Sequence, residues 1–407
     1  MTTSIIEEEL TRTSIFKDES RLSLDYVPRQ LPHRNEEIKT LTGFFRSIID
    51  NPGKTSPRAI IRGSIGTGKT VLSKRFGEDF EKYATKQGLN FKYIHVNCRE
   101  EGSFFNILKN IIIKYYEAAF PHRGYSSQEL LNNFIKILDR SKSYALIALD
   151  ELEALIRKEG ADPLFSLTRV NENRSPNQPQ RLSLICIFRD PEYKQVYHLL
   201  DKSTLGTLGY NILILEKYTA QELRDILDQR VQEAFKENAV LSETVELIAD
   251  LAGKYGDARF SIELLHLAGK ICDAEHLTKV TPEHARNAQM QAHPSLRIED
   301  LLLLRLHERL MLLATARYLK NSGSAYTIFG EIEKEYDVVC EEYGEKPRAH
   351  TQLWKYMKSL SVTGIISTKI SGKGQRGQTT LIGLYVSGDK LERELTRILE
   401  VKKRGLR

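Results

Sequence analysis

The residues Gly63-Ser-Ile-Gly-Thr-Gly-Lys69-Thr70 carry the strongest chemical signal in the chain and match G-x-x-x-x-G-K-[ST] in full. Gly63, Gly66 and Gly68 let backbone N–H groups curl around phosphate oxygens without Cβ clashes, with Ile65 and Thr67 supplying further N–H donors. A helix starting near Lys69 adds the positive end of its dipole. Lys69 is expected to reach the β- and γ-phosphates, and the Thr70 hydroxyl to ligate Mg²⁺. Downstream, Tyr144-Ala-Leu-Ile-Ala-Leu-Asp150-Glu151 is an apolar run ending in two acids. Asp150 would hold Mg²⁺ directly or through water, and Glu151 would polarise an attacking water. Alone, such a pair reads as solvated acids at a strand end; with the phosphate loop it reads as catalytic. Arg259, in Tyr255-Gly-Asp-Ala-Arg259, opens a helix, where a cation faces the positive dipole end. A bound γ-phosphate would account for it; an exposed surface arginine is the alternative.

A second concentration of chemistry lies at the C-terminal end. From Lys346 to Gly388 there are seven Lys/Arg residues and no Asp or Glu. The stretch Lys346–Arg407 carries 14 basic and 4 acidic residues, whereas the whole chain has a net charge of only +6. Such asymmetry suggests a surface for a polyanion. A helix over Arg348–Leu360 would place Arg348, Gln352, Lys355 and Lys358 toward a major groove, with Leu353, Tyr356 and Leu360 turned inward. Lys373 and Arg376 would sit on the glycine-rich tip of a β-ribbon, suited to phosphate or minor-groove contact. Trp354 reads as a core residue, and a winged helix used for protein contact is the competing reading.

Short apolar runs must hold the phosphate loop and the acidic pair. Strands are expected at Ala59–Ser64, Phe91–Asn97, Tyr144–Leu149, Leu182–Phe188 and Tyr210–Leu215. Helical patterns lie at Glu36–Asp50, Thr70–Lys86, Phe104–Ala118 and Ser127–Leu138. Strands alternating with helices mean a parallel sheet covered on both faces. After Leu215 helices take over to Gln291, with a capping box at Thr219-Ala-Gln-Glu222 and Pro282 at a first helical position. A linker at His293-Pro294-Ser295 leads to one apolar helix over Leu301–Leu319, helices at Phe329–Tyr343 and Arg348–Leu360, and strands at Ile365–Ile370 and Thr379–Val386. That order describes a winged helix. The expected domains are an N-terminal arm (1–20), a phosphate-loop core (21–217), a helical lid (218–292), a winged helix (296–390) and a basic C-terminal tail (391–407).

The 407 residues, 41% hydrophobic and 28% charged, fit a multi-domain globular chain. No run reaches the roughly 20 apolar residues of a membrane helix. The N-terminus lacks a secretory pattern. Cys98, Cys186, Cys272 and Cys340 are widely spaced, with no zinc-binding pattern. These features point to a reduced, cytoplasmic setting without membrane partners.

The sequence also resembles the AAA+ initiator ATPases of archaeal DNA replication, relatives of the eukaryotic origin recognition complex and its helicase-loading partner. The resemblance runs from about Ile15 to Val386. It is carried by Ile15-Phe-Lys-Asp-Glu19, Leu24-Asp-Tyr-Val-Pro28, Leu31-Pro-His-Arg34, Gly256-Asp-Ala-Arg259-Phe-Ser-Ile-Glu-Leu-Leu-His-Leu-Ala-Gly269 and Val280-Thr-Pro-Glu-His-Ala285. It implies an αβα sandwich with a five-stranded parallel sheet, a helical lid and a C-terminal winged helix. It places Tyr26, Val27 and Pro28 against adenine with Arg34 close by, puts Tyr218 and Arg230 on the nucleotide, and makes Arg259 the reader of the γ-phosphate. Arg123, within His122-Arg123-Gly124-Tyr125-Ser126, would belong to an initiator-specific insertion that touches DNA.

Two departures stand out. Arg189, in Ile187-Phe188-Arg189-Asp190, replaces the Asn that the family carries at the end of the fourth strand. Lys202 is the cation near Ser203-Thr-Leu-Gly206, where the family has an arginine finger, and a lysine lacks the bidentate fork that suits a phosphoryl group. The implied protein is a divergent paralogue that binds ATP and Mg²⁺, hydrolyses ATP slowly to ADP and phosphate, binds origin duplex DNA, and works with the replicative helicase and paralogous initiators. A DNA-binding regulator with little turnover is the alternative. A transposition or stress-signalling ATPase is disfavoured by the Gly256-to-Arg259 block and the Tyr-Val-Pro start.

Overall fold

The computed structural model describes residues 6–7, 11–116, 124–172, 174–175, 177–200, 202–209, 211–292, 298–370 and 379–404. The chain forms two compact units. One comprises Val27–Tyr218 with Gly256–Ala258; the other comprises Met1–Tyr26, Thr219–Tyr255 and Arg259–Arg407.

The first unit follows the expected alternation. Helix α1 (Asn35–Asp50) leads into β1 (Arg58–Gly63), α2 (Lys69–Lys86), β2 (Phe91–Asn97), α3 (Cys98–Glu101), α4 (Phe104–Tyr116) and α5 (Ser127–Arg140). Then come β3 (Tyr144–Asp150), α6 (Leu152–Glu159), α7 (Asp162–Thr168), β4 (Leu182–Arg189), α8 (Asp190–Tyr197), α9 (Lys202–Leu208) and β5 (Ile212–Leu215). The five strands pair in the order β2-β3-β4-β1-β5, all parallel. Residues 145–150 of β3 and 182–188 of β4 are buried without a break, as expected for a sheet with helices on both faces. One core joins α4, α5 and α6 to the sheet, and a second packs α1 and α2 against it. Because every strand runs the same way, Gly63, Asp150 and Arg189 end at one edge of the sheet. The register sets Gly63 beside Arg189, and Asn97 beside Asp150.

In the second unit Ile15 and Phe16, which fall within the N-terminal arm expected for residues 1–20, pack inward. Ile15 and Phe16 are buried, and Phe16 meets Phe235 at a ring-centroid distance of 4.8 Å. Lys17 N–H donates to Ala234 O at 2.7 Å, and Lys236 N–H to Ile15 O at 3.0 Å. Gly269 makes room for this packing, since a Cβ there would lie 2.5 Å from the Phe16 ring. Helices α10 (Ala220–Ala234), α11 (Ser242–Gly253), α12 (Ala258–Ala274) and α13 (Pro282–Ala292) form the lid. The Thr219/Glu222 capping box closes as expected, and Pro282 opens α13.

The remainder is α14 (Ile298–Leu303), α15 (Leu306–Ser322), β6 (Tyr326–Ile328), α16 (Phe329–Tyr343), α17 (His350–Val362), β7 (Ile366–Ile370), β8 (Thr380–Leu384) and α18 (Gly388–Arg404). A three-stranded antiparallel sheet, ordered β6-β8-β7, completes the winged helix. The single apolar helix expected over Leu301–Leu319 is broken at Leu304-Arg305. Arg309 donates to the carbonyls of Leu301 (Nε, 2.9 Å) and Leu302 (Nη2, 2.5 Å), satisfying the end of α14, while Glu308 closes back onto Arg305 N–H at 2.9 Å. The basic tail expected over 391–407 is instead helical as far as Arg404. Leu391, Leu395 and Leu399 are buried, and Asp389 and Glu392 pair with Arg317 and Lys320 of α15.

Arg286 of α13 is fully buried and fastens the lid to the winged helix. Its guanidinium donates to Leu384 O at 3.3 Å, Ser324 O at 3.0 Å and Ala325 O at 2.9 Å, and pairs with Glu283 at 3.2 Å. Around it, Glu283 accepts from the Ser387 hydroxyl, Tyr326 donates to Asp250, and Lys369 pairs with Glu246 and Asp250.

Candidate nucleotide site and nucleic-acid face

The loop between β1 and α2 has the geometry of an anion cradle. Gly66 and Gly68 have φ of +75° and +84°, a region open to glycine and strained for other residues. A Cβ on Gly63 would lie 2.6 Å from Leu215 O and 2.9 Å from Thr67 Oγ1. Gly68 caps α2 without a side-chain hydrogen bond, so the first N–H groups of an 18-residue helix are available to a ligand. Lys69 is buried and donates Nζ to Gly63 O at 2.9 Å and Ser64 O at 2.6 Å. Burial pushes its pKa below the usual lysine value against the attraction of Asp150, Glu153 and Asp190. A buried ammonium held by neutral carbonyls favours an anion. Ile65 is half exposed on the outside of the loop, and Thr67 is buried, its hydroxyl donating to Ser64 O at 2.9 Å.

Asp150 ends β3 with its Oδ2 accepting from the Thr70 hydroxyl at 2.6 Å and lying 3.4 Å from His95 Nε2. Burial works to raise its pKa, but His95 and Thr70 outweigh it and hold the carboxyl below the usual range. His95 in turn meets Tyr93 Oη at 3.3 Å, and Tyr93 meets the Ser73 hydroxyl at 2.9 Å. The carboxylate and hydroxyl oxygens of Asp150 and Thr70 thus stand together as hard donors, which suits Mg²⁺. His95 escaped the sequence reading, although its position opposite Ala148, two places before Asn97, sets it at the acidic edge.

Glu151 follows in a left-handed conformation, φ +50°, uncommon for a residue with a Cβ. Its Oε2 is buried, accepts no hydrogen bond, and lies 3.5 Å from Arg189 Nη2 and 3.7 Å from Arg99 Nη1. Arg189 is anchored on Glu153, with Nε donating to Oε1 at 2.8 Å; Glu153 is 1% exposed. Lys202, the other departure, is exposed at the start of α9.

Arg34 is buried and already committed within the first unit. It donates to Tyr218 Oη at 2.9 Å, to the carbonyls of Thr67 and Glu216 at 3.2 Å each, and to Glu37 at 2.9 Å, and it stacks on the Tyr218 ring. It braces the phosphate loop against the exit of β5. Tyr218 is also buried, and its Oη would lie 3.1 Å from a Cβ on Gly68. Val27 is half-buried and Pro28 buried. Ala258 N–H donates to Gly66 O at 3.0 Å, and Asp257 closes over Gly66 so tightly that a Cβ there would overlap its carboxylate. Arg259, the next residue, is exposed and belongs to the second unit. In that unit Tyr26 is flanked by the guanidinium groups of Arg21 and Arg230, each 4.7 Å from its ring centre. Arg230 is buried, which lowers its pKa, and pairs with Glu233 at 3.5 Å.

On the winged helix, α17 starts at His350, so Arg348 lies in the segment before it. Arg348, Lys355 and Lys358 are exposed, and Gln352 is half-buried. Leu353, Met357 and Leu360 are the buried residues of the helix; Tyr356 is half-buried and stacks on His307 with the rings 3° apart. Trp354 stacks on Phe329, with ring centroids 4.4 Å apart, and donates Nε1 to His350 Nε2 at 3.1 Å. Gln352, Lys355 and Ser359 line an open cleft of about 900 Å³ together with Lys254 and Tyr385. Arg123, Lys373 and Arg376 lie outside the described residues.

All four cysteines are buried and free, and among the described residues no helix is long and apolar enough to cross a membrane. Residues 54–196 match the family profile for an AAA domain, 224–290 that of a Cdc6 AAA+ ATPase-type lid domain, and 299–394 that of the CDC6 C-terminal winged helix domain. The ORC1-type DNA replication protein 2 of Sulfurisphaera tokodaii is 36% identical over 390 residues, covering 94% of this chain and 92% of that protein. The crystal structure of Cdc6p from Pyrobaculum aerophilum superposes with a TM-score of 0.81 at 30% identity, covering 96% of this chain and 100% of that one. The Aeropyrum pernix ORC1 protein in complex with DNA gives a TM-score of 0.61 at 28% identity, over 95% of this chain and 98% of that one. With a phosphate loop on a parallel sheet, a helical lid and a winged helix in that order, the chain belongs to the family of ORC1-type DNA replication proteins, initiators of the ORC1/Cdc6 kind.

Proposed function

We propose that the protein binds ATP with Mg²⁺ on the Gly63–Thr70 loop and binds origin duplex DNA through its winged helix. ATP binding and slow hydrolysis then act as a switch for recruiting the replicative helicase. The observation that carries the nucleotide part is buried Lys69 at the head of α2, beside Thr70 and Asp150 in direct contact. Lys69 and the N–H groups of the loop would hold the phosphates, and Thr70 and Asp150 the metal. Mg²⁺ would supply charge neutralisation at the phosphate oxygens. Glu151 would orient and deprotonate water, and Arg259, one residue beyond the hydrogen bond from Ala258 to Gly66, would report the terminal phosphate. Tyr26, Val27, Pro28, Tyr218 and Arg230 are the proposed base and ribose side of the site, with Arg34 acting through the loop. Exposed Arg348, Lys355 and Lys358 would neutralise DNA phosphates, with Gln352 at the groove and Arg123, Lys373 and Arg376 as further contacts. The helicase and paralogous initiators are the proposed protein partners.

The ion pair of Arg189 with Glu151 favours low turnover, and so supports a second reading as an origin-bound regulator. Fluorescence anisotropy with duplexes from upstream of the protein's own gene and with random sequence tests the DNA part; a preference of about a thousandfold is expected for a sequence-reading initiator. Equal, weak binding to both would overturn it. A steady turnover well above about one per second would overturn the slow switch.

A further inference from the structure

Arg189 stands where two kinds of anion can claim it. It is the last residue of β4, paired in register with Gly63, so its Cα lies beside the first residue of the phosphate loop. Its Nε is fixed on Glu153, which is almost wholly buried, and its Nη2 reaches Glu151 at 3.5 Å. Glu192 also lies within 3.9 Å. Glu151, Glu153 and Glu192 each keep a buried Oε2 that accepts no hydrogen bond. Three carboxylates therefore share Arg189, with only Arg99 as a second cation on Glu151 among the described residues. An asparagine at the end of this strand would carry no charge to share. A planar guanidinium can keep one partner on Nε while its outer nitrogens exchange theirs.

We propose that Arg189 is a positioning residue that couples the terminal phosphate of a bound nucleoside triphosphate to Glu151. With Glu153 as a fixed anchor, its outer nitrogens pair either with the Glu151 carboxylate or with a terminal phosphate oxygen. Glu151 and the phosphate therefore compete for one cation. A diphosphate, which lacks that oxygen, does not enter the competition. The proposal rests on the nucleotide reading above.

The test is a binding cycle on the full chain, with fluorescent ADP displaced by ADP or by a non-hydrolysable ATP analogue, each with Mg²⁺. Glu151→Gln removes the competitor, so the analogue should bind at least fivefold more tightly while ADP affinity changes less than twofold. In the R189Q/E153Q background, which removes the buried Glu153 carboxylate together with the cation it anchors, adding E151Q should change analogue affinity less than twofold. Thermal melts confirm that each variant is folded. An equal gain in both backgrounds would mean a general effect of the lost negative charge, and would overturn the coupling. The absence of any gain on the wild-type background would overturn it as well. Failure of the folded wild-type chain to bind fluorescent ADP at all would instead overturn the nucleotide reading, and the coupling with it.

Discussion

Gly66 and His307 show how single positions answer to their surroundings. Gly66 has φ +75°, and a Cβ there would lie 1.8 Å from Asp257 Oδ1. Gly66→Ala must therefore strain the loop and push away the Gly256–Ala258 turn that hydrogen-bonds to it. Left-handed backbone alone costs a non-glycine residue about 1–2 kcal/mol. The expected result is a fall of at least that size in urea-unfolding free energy, together with loss of nucleotide binding. His307 is buried in the winged helix with Nδ1 on Tyr336 Oη at 2.7 Å. Burial, and then the charge of Arg348, lower its pKa below the ordinary 6.5, against a smaller opposing effect of Glu345. The unfolded chain then binds the proton at a pH where the fold still refuses it, so stability falls as pH drops below about 6.5. Between pH 7 and pH 5 the wild-type Tm should fall more steeply than that of His307→Gln. Parallel Tm–pH curves would show that His307 does not contribute.

The elements differ in how plainly they could be read from sequence. The edge strand Phe91–Asn97 lies where it was expected although Lys92 is exposed, and Asp150 closes β3, whose burial on both faces leaves an unmistakable apolar run. The capping box at Thr219 and the phosphate loop were legible because each is a local arrangement with fixed spacing. The break at Arg305, the docking of Ile15 and Phe16, and the packing of α18 were not, because each depends on a distant partner. The charge of the final segment concealed a stripe of Leu391, Leu395 and Leu399 at helical spacing. At the candidate site, Lys69, Thr70, Asp150 and Glu151 were legible from motif, whereas His95, Arg99 and Glu153 are brought in only by sheet register and the turn after β3. Arg286 belongs to the same class, since nothing near it in sequence marks it as the tie between α13 and β8. Removing it leaves three carbonyls and Glu283 without their donor, and breaking such a buried pair costs about 3–5 kcal/mol. Trp354, the only tryptophan, sits in the winged helix and reports its unfolding. Arg286→Ala, a lid substitution, should lower the urea midpoint seen by Trp354 fluorescence and by circular dichroism together. A midpoint unchanged by fluorescence would show that the two parts unfold independently.

Charge and architecture cannot be separated by cutting this chain. The boundary at Lys346, where a stretch without acidic residues begins and runs to Gly388, invites a truncation that leaves the nucleotide unit and discards the basic end. That cut would remove α17, β7, β8 and α18, whose Leu353, Ile366, Ile382 and Leu391 share one core with Leu310, Leu313 and Tyr336. It would also strip Arg286 of its Leu384 acceptor. Loss of DNA binding after such a cut would report unfolding as readily as contact. Substitution on the exposed face of α17 avoids this, because Lys355 and Lys358 point to solvent while Leu353, Met357 and Leu360 carry the packing. Each cation that neutralises a phosphate contributes about 0.9 to the slope of log affinity against log salt. K355Q/K358Q should therefore weaken duplex binding and flatten that slope by about 1.8, with ADP affinity unchanged within twofold. Lys369 supplies the control. It lies in the same basic stretch but is already paired with Glu246 and Asp250 of the lid. Lys369→Gln should lower Tm and leave the salt slope as it was. If instead Lys369→Gln flattened the slope and K355Q/K358Q did not, the DNA would lie along the β7 side of the winged helix and not along α17.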